Sequence, residues 1–157
     1  MSQSTDLVCL VCAKHRGETP LAGGIIFENE WISISHAQMF GEEKDHYLGH
    51  LFVETKRHVG EFADLTDEEA QQIGLWVKRL SQALLGTLDM EHVYSFLIVD
   101  GVPHVHMHVI GRYRGAPREY WGPRVDDWPE APRGGAGEIA EISNKVKLFI
   151  SQKGHCG

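Results

Sequence analysis

The run His104-Val105-His106-Met107-His108 constrains this chain more than any other stretch. A strand sends alternate side chains to one face, so the three histidines project one way and Val105, Met107 and Val109 the other. Successive histidines on such a strand stand roughly 6 to 7 Å apart. The apolar set suits burial against helices, which leaves the imidazoles as a row on the opposite face. As packing alone the row is costly, because each ring needs partners for two nitrogens; three merely satisfied histidines remain the bland alternative. Two chemistries use such a row. Two or three rings can bind zinc, iron or copper, or one neutral imidazole can attack phosphorus while its neighbour hydrogen-bonds the non-bridging oxygens. Spacing alone does not separate them.

A chain of 157 residues has room for one core. Fifteen Lys plus Arg against 22 Asp plus Glu give a net charge of -7, so neither stable nucleic-acid binding nor attachment to an anionic membrane is expected. Any phosphate ligand then needs a local cluster of donors. The first residues, Met1 to Asp6, lack the basic and apolar runs of a signal peptide, and no stretch is long enough to span a membrane; a cytoplasmic location is the expectation. In that reducing setting the pair Cys9-Leu10-Val11-Cys12 points to metal or redox chemistry rather than a disulfide, and Cys156 is expected to be exposed and without a role.

Residues 1–20 read as a polar lead-in around the cysteine pair. Residues 24–27 and 31–35 read as short strands joined by a turn at Glu28-Asn29-Glu30, residues 36–47 as loop, and residues 51–55 as a third strand. Thr66-Asp67-Glu68-Glu69 is a capping box, followed by Ile73, Trp76, Val77, Leu80 and Leu84 at helical spacing up to Gly86. Residues 92–99 and about 104–110 form the next strand pair, an antiparallel hairpin turning near Asp100-Gly101, with a loop a residue or two longer than the minimum. Residues 112–137 lack either period but carry Tyr120, Trp121 and Trp128, which predicts an ordered loop. Ile139, Ile142, Val146, Phe149 and Ile150 predict a closing helix, and Trp31 and Trp76 are assigned to packing. The carboxylates show no pairing suited to glycoside hydrolysis, and no Walker or dinucleotide-binding glycine motif is present.

His104-Val105-His106-Met107-His108-Val109-Ile110 matches every position of His-φ-His-φ-His-φ-φ, with φ apolar. Gly49-His50-Leu51-Phe52-Val53-Glu54-Thr55-Lys56-Arg57-His58 follows the pattern Gly-His-x-Leu-Val-Ile-Pro-Lys-x-His, and Phe62-Ala63-Asp64-Leu65-Thr66 leads into the long helix. Together with the cysteine pair, in this order and over roughly residues 7 to 112, the chain resembles the histidine triad family of nucleotide hydrolases and transferases, in its zinc-containing branch. The resemblance implies an α+β fold, a five-stranded antiparallel sheet with a long helix and a C-terminal helix packed against it, usually as a homodimer. It implies one domain over 1–157, with a zinc-binding segment at about 7–20 and a C-terminal loop and helix at about 112–152. His106 is then the nucleophile and His108 a hydrogen-bond donor to phosphate, while Cys9, Cys12, His58 and His104 hold a structural zinc ion. His50 is the substitute ligand if His58 is not one. No organic cofactor is implied. His106 must keep Nε2 unprotonated, so its other nitrogen is expected to donate to a backbone carbonyl, and activity is expected to fall in acid.

Three places depart from the family pattern. Val99-Asp100-Gly101-Val102-Pro103 runs into His104 without the usual Gly-Gln step, Gly111 stands where Pro is usual, and Ser33, Ser35, His36 and Ala37 occupy the place of a ribose-binding carboxylate. Ser35, His36, Asp100, Arg112, Tyr120 and Trp121 are the expected substrate contacts, the last three within a loop that also carries Arg114, Arg118 and Arg124; a solvated or dimer-interface loop is the alternative. The leading expectation is a hydrolase acting through a nucleotidyl-histidine on a dinucleoside polyphosphate or nucleoside phosphoramidate. A nucleotidyltransferase or phosphorylase using the same intermediate, a nonenzymatic nucleotide-binding protein, and a metal catalyst using His104, His106 and His108 together stay open beside it.

Overall fold

The computed structural model describes residues 9–154, so Cys156 lies outside the described residues. The chain runs through helix α1 (Leu10–His15), strands β1 (Phe27–Glu28), β2 (Ile32–His36), β3 (His46–Tyr47) and β4 (His50–Thr55), helix α2 (Asp67–Thr87), strands β5 (Met90–Phe96), β6 (His106–Tyr113) and β7 (Arg133–Gly134), and helix α3 (Ala136–Gln152). Five strands pair antiparallel in the order β1-β2-β4-β6-β5. Ile32, Ile34, Leu51, Val53 and Val109 alternate onto one face and meet Ile73, Trp76, Leu80 and Leu84 of α2 and Ile142, Val146 and Ile150 of α3. Each such side chain contributes about 1.5–3 kcal/mol by leaving water, and this burial fixes the register, since a one-residue slip would exchange the two faces. The other face carries Ser33 opposite Glu54, Ser35 opposite Phe52, Glu54 opposite His106, and Phe52 and Phe96 flanking His108. No helix among the described residues is long and apolar enough to cross a membrane.

Four expectations need correction. β6 begins at His106, not His104, and the connection from β5 occupies residues 97–105 rather than a tight turn. The cause is local: Val105 donates to the Val59 carbonyl at 2.7 Å and accepts from Thr55 N at 3.2 Å, which ties the approach to β6 to the end of β4 instead of to β5. β5 starts two residues earlier than its β-forming composition suggests and ends at Phe96. Within the lead-in, residues 10–15 are helical, with the Cys9 sulfur accepting from Cys12 N. The loop at 36–47 ends in a ribbon of β3 and β7, His46 opposite Gly134 and Tyr47 opposite Arg133. Two residues per strand are too few to show alternation. Around that ribbon Tyr47, Ile110, Val125 and Ala131 form a second apolar cluster against Tyr94, Phe96 and Trp128, so the loop after β6 is ordered on the site face of the sheet.

Gly111 has a physical reason for not being proline. Its N–H donates to the Gly49 carbonyl at 3.1 Å, and a Cβ there would lie 1.9 Å from Met90 Sδ.

The start of α2 also locks the end of β4. Thr66 Oγ1 accepts from Glu69 N at 3.1 Å and Glu69 Oε2 accepts from Thr66 N at 2.9 Å, while both Glu69 oxygens take bonds from Arg57 at 2.9 Å. Thr66→Ala is expected to lower the unfolding free energy by about 1 kcal/mol. Glu69→Ala is expected to cost roughly twice that, because it removes the cap partner and leaves Arg57 only the Asp64 carbonyl as acceptor. Urea unfolding checks both; equal losses would mean that the Arg57 contact contributes nothing.

Candidate functional site

His104, two residues before β6 begins, holds one cluster together. His104 is buried, and its Nδ1 lies 3.4 Å from Cys9 Sγ and 3.5 Å from Cys12 Sγ, while His58 Nδ1 lies 3.4 Å from Cys12 Sγ. All four ligand atoms fall within 4.8 Å of one another. A tetrahedral ion with the metal–sulfur and metal–nitrogen lengths of zinc has sulfur–nitrogen edges of about 3.6 Å, so these side chains fit such an ion without rearrangement. The tautomer agrees: His104 Nε2 donates to the Thr55 carbonyl at 2.6 Å, which leaves Nδ1 bare toward the thiols. Burial, assisted by His15 and His58, pushes this ring down to about 4, so it is neutral as a ligand requires. Among the described residues no other group of His, Cys, Asp and Glu reaches this geometry, and a single metal on all three histidines of the run is not formed.

Two residues on, the roles change. His106 Nδ1 donates to the His104 carbonyl at 2.6 Å, so the neutral ring keeps its lone pair on Nε2, as the sequence requires of a nucleophile. His106 borders a cleft of about 350 Å³ walled by α1 (Leu10, Val11), residues 36–40 and Phe52. Lys14 and Glu54 lie in the same wall. Glu54 is buried and accepts from Lys14 Nζ and, at 2.9 Å, from His15 Nε2. Burial works to raise its carboxyl, but the bonds from His15 and Lys14 outweigh that and hold it below the usual range.

His108 joins a second row. Its Nδ1 lies 2.9 Å from His50 Nε2, and His50 Nδ1 lies 3.1 Å from His46 Nε2. Phe96 stacks on the His108 ring at 4.5 Å. Burial pushes His108 down to about 4 and His50 well below its ordinary value, with neighbouring histidines adding to both shifts.

The expected substrate contacts fare unevenly. His36 borders the cleft, but its Nδ1 donates to the Ala37 carbonyl and its Nε2 accepts from Gly49 N at 2.9 Å, so neither nitrogen is left for a sugar. Ser35 lies on the site face but is buried and outside the cleft wall, its hydroxyl unpaired among the described residues. Asp100 is exposed in the 97–105 connection and does not line the cleft. Arg112 is buried four residues beyond His108, bonded to Tyr94 Oη at 2.6 Å and to Glu91, with its guanidinium 3.7 Å over the Trp121 ring. Tyr120 and Trp121 lie on the loop that follows β6, and none of these three borders the cleft. Sequence reasoning missed Lys14, Glu54 and His46. Glu54 left a signal, because it stands where the resembling segment has Ile, and a carboxylate at a buried apolar position must find partners.

A sequence model of the HIT domain matches residues 35–115. An uncharacterized HIT-like protein of Methanocaldococcus jannaschii is 30% identical over 112 residues, covering 69% of this chain and 81% of that protein. A zinc-bound histidine triad family protein from Mycobacterium smegmatis aligns with a TM-score of 0.68 at 18% identity, over 97% of this chain and 99% of that one. A Plasmodium falciparum diadenosine triphosphate hydrolase, solved with cyclomarin A, aligns at 0.58 with 15% identity, over 83% of this chain and 78% of that one.

Two measurements follow from this geometry. Metal analysis is expected to find one divalent ion per chain, retained by His106→Ala and lost from Cys9→Ser or His104→Ala; loss from His106→Ala would place His106 itself in the metal site. Stability is expected to fall as pH drops. His36 and His108 are both driven to about 4 by burial, so between 6.5 and about 4 the unfolded chain binds protons that the folded rings refuse. Their contribution is undiminished above that window and declines through it. In urea titrations from pH 7 to 4.5, His36→Asn is expected to show a shallower decline than the parent; an identical slope would contradict the shift.

Proposed function

Since this chain belongs to the HIT domain family, we propose that it is a nucleotide hydrolase in which His106 Nε2 attacks the α-phosphorus of a dinucleoside polyphosphate or a nucleoside phosphoramidate. A nitrogen–phosphorus bond forms as the bond to the leaving group breaks, and water then hydrolyses the nucleotidyl-histidine and returns the electron pair to Nε2. The observation that carries this reading is the 2.6 Å bond from His106 Nδ1 to the His104 carbonyl, which commits the other nitrogen to attack.

The cleft beside His106 supports a nucleoside. Its volume of about 350 Å³ is in the range of small-ligand sites, and Leu21, Ala37, Met39 and Phe40 offer apolar cover with the Gln38 amide among them. Lys14 supplies the cation for phosphate. Because His15 also bonds Glu54, the buried carboxylate keeps a partner when Lys14 turns toward the ligand. His108 donates to the phosphate from Nε2.

In the same reading the ion held by Cys9, Cys12, His58 and His104 is zinc. Two thiolates and two imidazoles complete a tetrahedron, so zinc there is structural and supplies no open position for chemistry. A homodimer is part of the proposal, with β5 at the open end of the sheet as the edge available to a second copy.

The test is covalent trapping. Incubation with dinucleoside polyphosphates and nucleoside phosphoramidates, quenched in alkali, is expected to give an intact-mass increase of one nucleotidyl group. His106→Ala and His106→Gly are expected to abolish the adduct and to lower turnover by at least a thousandfold. An adduct that persists in either variant would defeat the assignment.

A further inference from the structure

His46, His50 and His108 form an unbroken line of imidazoles that the nucleophilic reaction just described does not use beyond its inner end. The line starts at His108, beside the nucleophile, where the ring centroids of His106 and His108 are 5.2 Å apart. It passes through His50, which is buried, and ends at His46, which borders the same cleft as His106. At that outer end His46 Nδ1 is buried with no hydrogen-bond partner among the described residues. The Glu43 carboxylate lies 3.8 Å from it, half-exposed at the cleft wall. From the geometry, and resting on the hydrolase reading above, we propose that His46 is the outer station of a proton relay, His108–His50–His46–Glu43, that supplies and removes the proton exchanged with the leaving group and with water.

One proton per ring and two nitrogen–nitrogen bonds allow two self-consistent arrangements. In the first, His46 Nε2–H donates to His50 Nδ1, His50 Nε2–H donates to His108 Nδ1, and His108 carries its proton on Nε2, facing the reaction. In the second, every proton sits on the other nitrogen of its ring: His108 and His50 donate outward from Nδ1, and His46 holds Nδ1–H toward Glu43. Both arrangements keep all three rings neutral. Burial favours that neutrality in each ring. The groups facing the line are Glu43, Arg133 and Asp126 around His46, and His36 and His106 around His50.

The reaction converts one arrangement into the other. When His106 Nε2 bonds phosphorus, the bond to the leaving group breaks and its electron pair takes the proton from His108 Nε2. His108 is refilled at Nδ1 from His50, His50 at Nδ1 from His46, and His46 at Nδ1 from water at Glu43. In the second half, the attacking water loses its proton to His108 Nε2 as the nitrogen–phosphorus bond breaks. His108 passes its Nδ1 proton to His50, His50 passes its own to His46, and His46 releases Nδ1–H toward Glu43. The line is then back at the start, with no charge left inside.

His46 acts only through its neighbours, so it is a positioning residue, and its test must separate proton delivery from folding. His46→Gln keeps an N–H that can donate to His50 but cannot pass a proton on. The rate of nucleotidyl-enzyme formation is measured in single turnovers with two compounds sharing one nucleoside 5′-phosphoryl group. One has an alkylamine leaving group, which must depart protonated; the other has p-nitrophenolate, which departs as the anion. His46→Gln is expected to lower the ratio of the amine rate to the nitrophenyl rate at least tenfold, within the range of general-acid effects. Glu43→Gln, on an exposed side chain, is expected to lower the same ratio about threefold, and it stands in if His46→Gln does not fold. An unchanged ratio, or equal losses with both compounds, would overturn the relay while leaving the hydrolase reading intact. If the parent protein forms no adduct with either compound, the hydrolase reading fails, and the relay fails with it.

Discussion

The site depends on the short hydrogen bond that ends on the His104 carbonyl. This residue serves two centres with two different groups. Its ring turns into the cluster with Cys9, Cys12 and His58 and is fixed there by its own bond to Thr55. Its carbonyl turns the other way and holds the proton of His106 on Nδ1. Any shift of the backbone at this position therefore moves the His104 ring in the Cys/His cluster and reorients the His106 ring together. On the proposed reading, that coupling gives a four-ligand metal site next to a reactive ring a mechanical contribution: it stiffens the strand entry and does not touch phosphate.

The sheet makes the division of labour possible. Val105 and Val109 are held in the apolar core, so the intervening even-numbered residues are forced to the opposite face, where polar partners must be provided for each. Glu54 shows the consequence. Directly across from His106 and buried, it would be badly destabilising alone, and breaking such a pair typically costs about 3–5 kcal/mol. Helix α1 supplies Lys14 and His15 to meet it. Since Cys9 and Cys12 at the start of α1 meet His104 and His58, the Cys/His cluster, the buried carboxylate and the wall of the cleft form one mechanical unit.

Much of this was legible in the sequence because it rests on local rules. Alternation puts His106 and His108 on one face and the capping box marks the start of α2, while Cys9, Cys12, His58 and His104, which the family resemblance implies as a set, lie with their ligand atoms within 4.8 Å of one another. What could not be read depends on contacts distant in sequence. β6 begins two residues later than the alternation suggests because Val105 bonds Val59 and Thr55, a preference that composition does not encode. The β3–β7 ribbon is too short to carry a period, and with it the place of His46 beside His50 was hidden. Position along the chain points to Ser35, His36 and Asp100, yet burial, completed hydrogen bonding or a place outside the cleft wall removes each from direct reach of a ligand there. Arg112 was expected to face phosphate, but Glu91, Tyr94 and Trp121 already engage its guanidinium.

The most direct test of the account is nitrogen NMR of imidazole-labelled protein, at rest and with the reaction intermediate trapped. The account predicts that at neutral pH His106 carries its proton on Nδ1 with Nε2 bare, and that phosphorus coupling then appears on Nε2 of that same ring. A proton on Nε2 at rest, or phosphorus bonded to a different histidine, would contradict it.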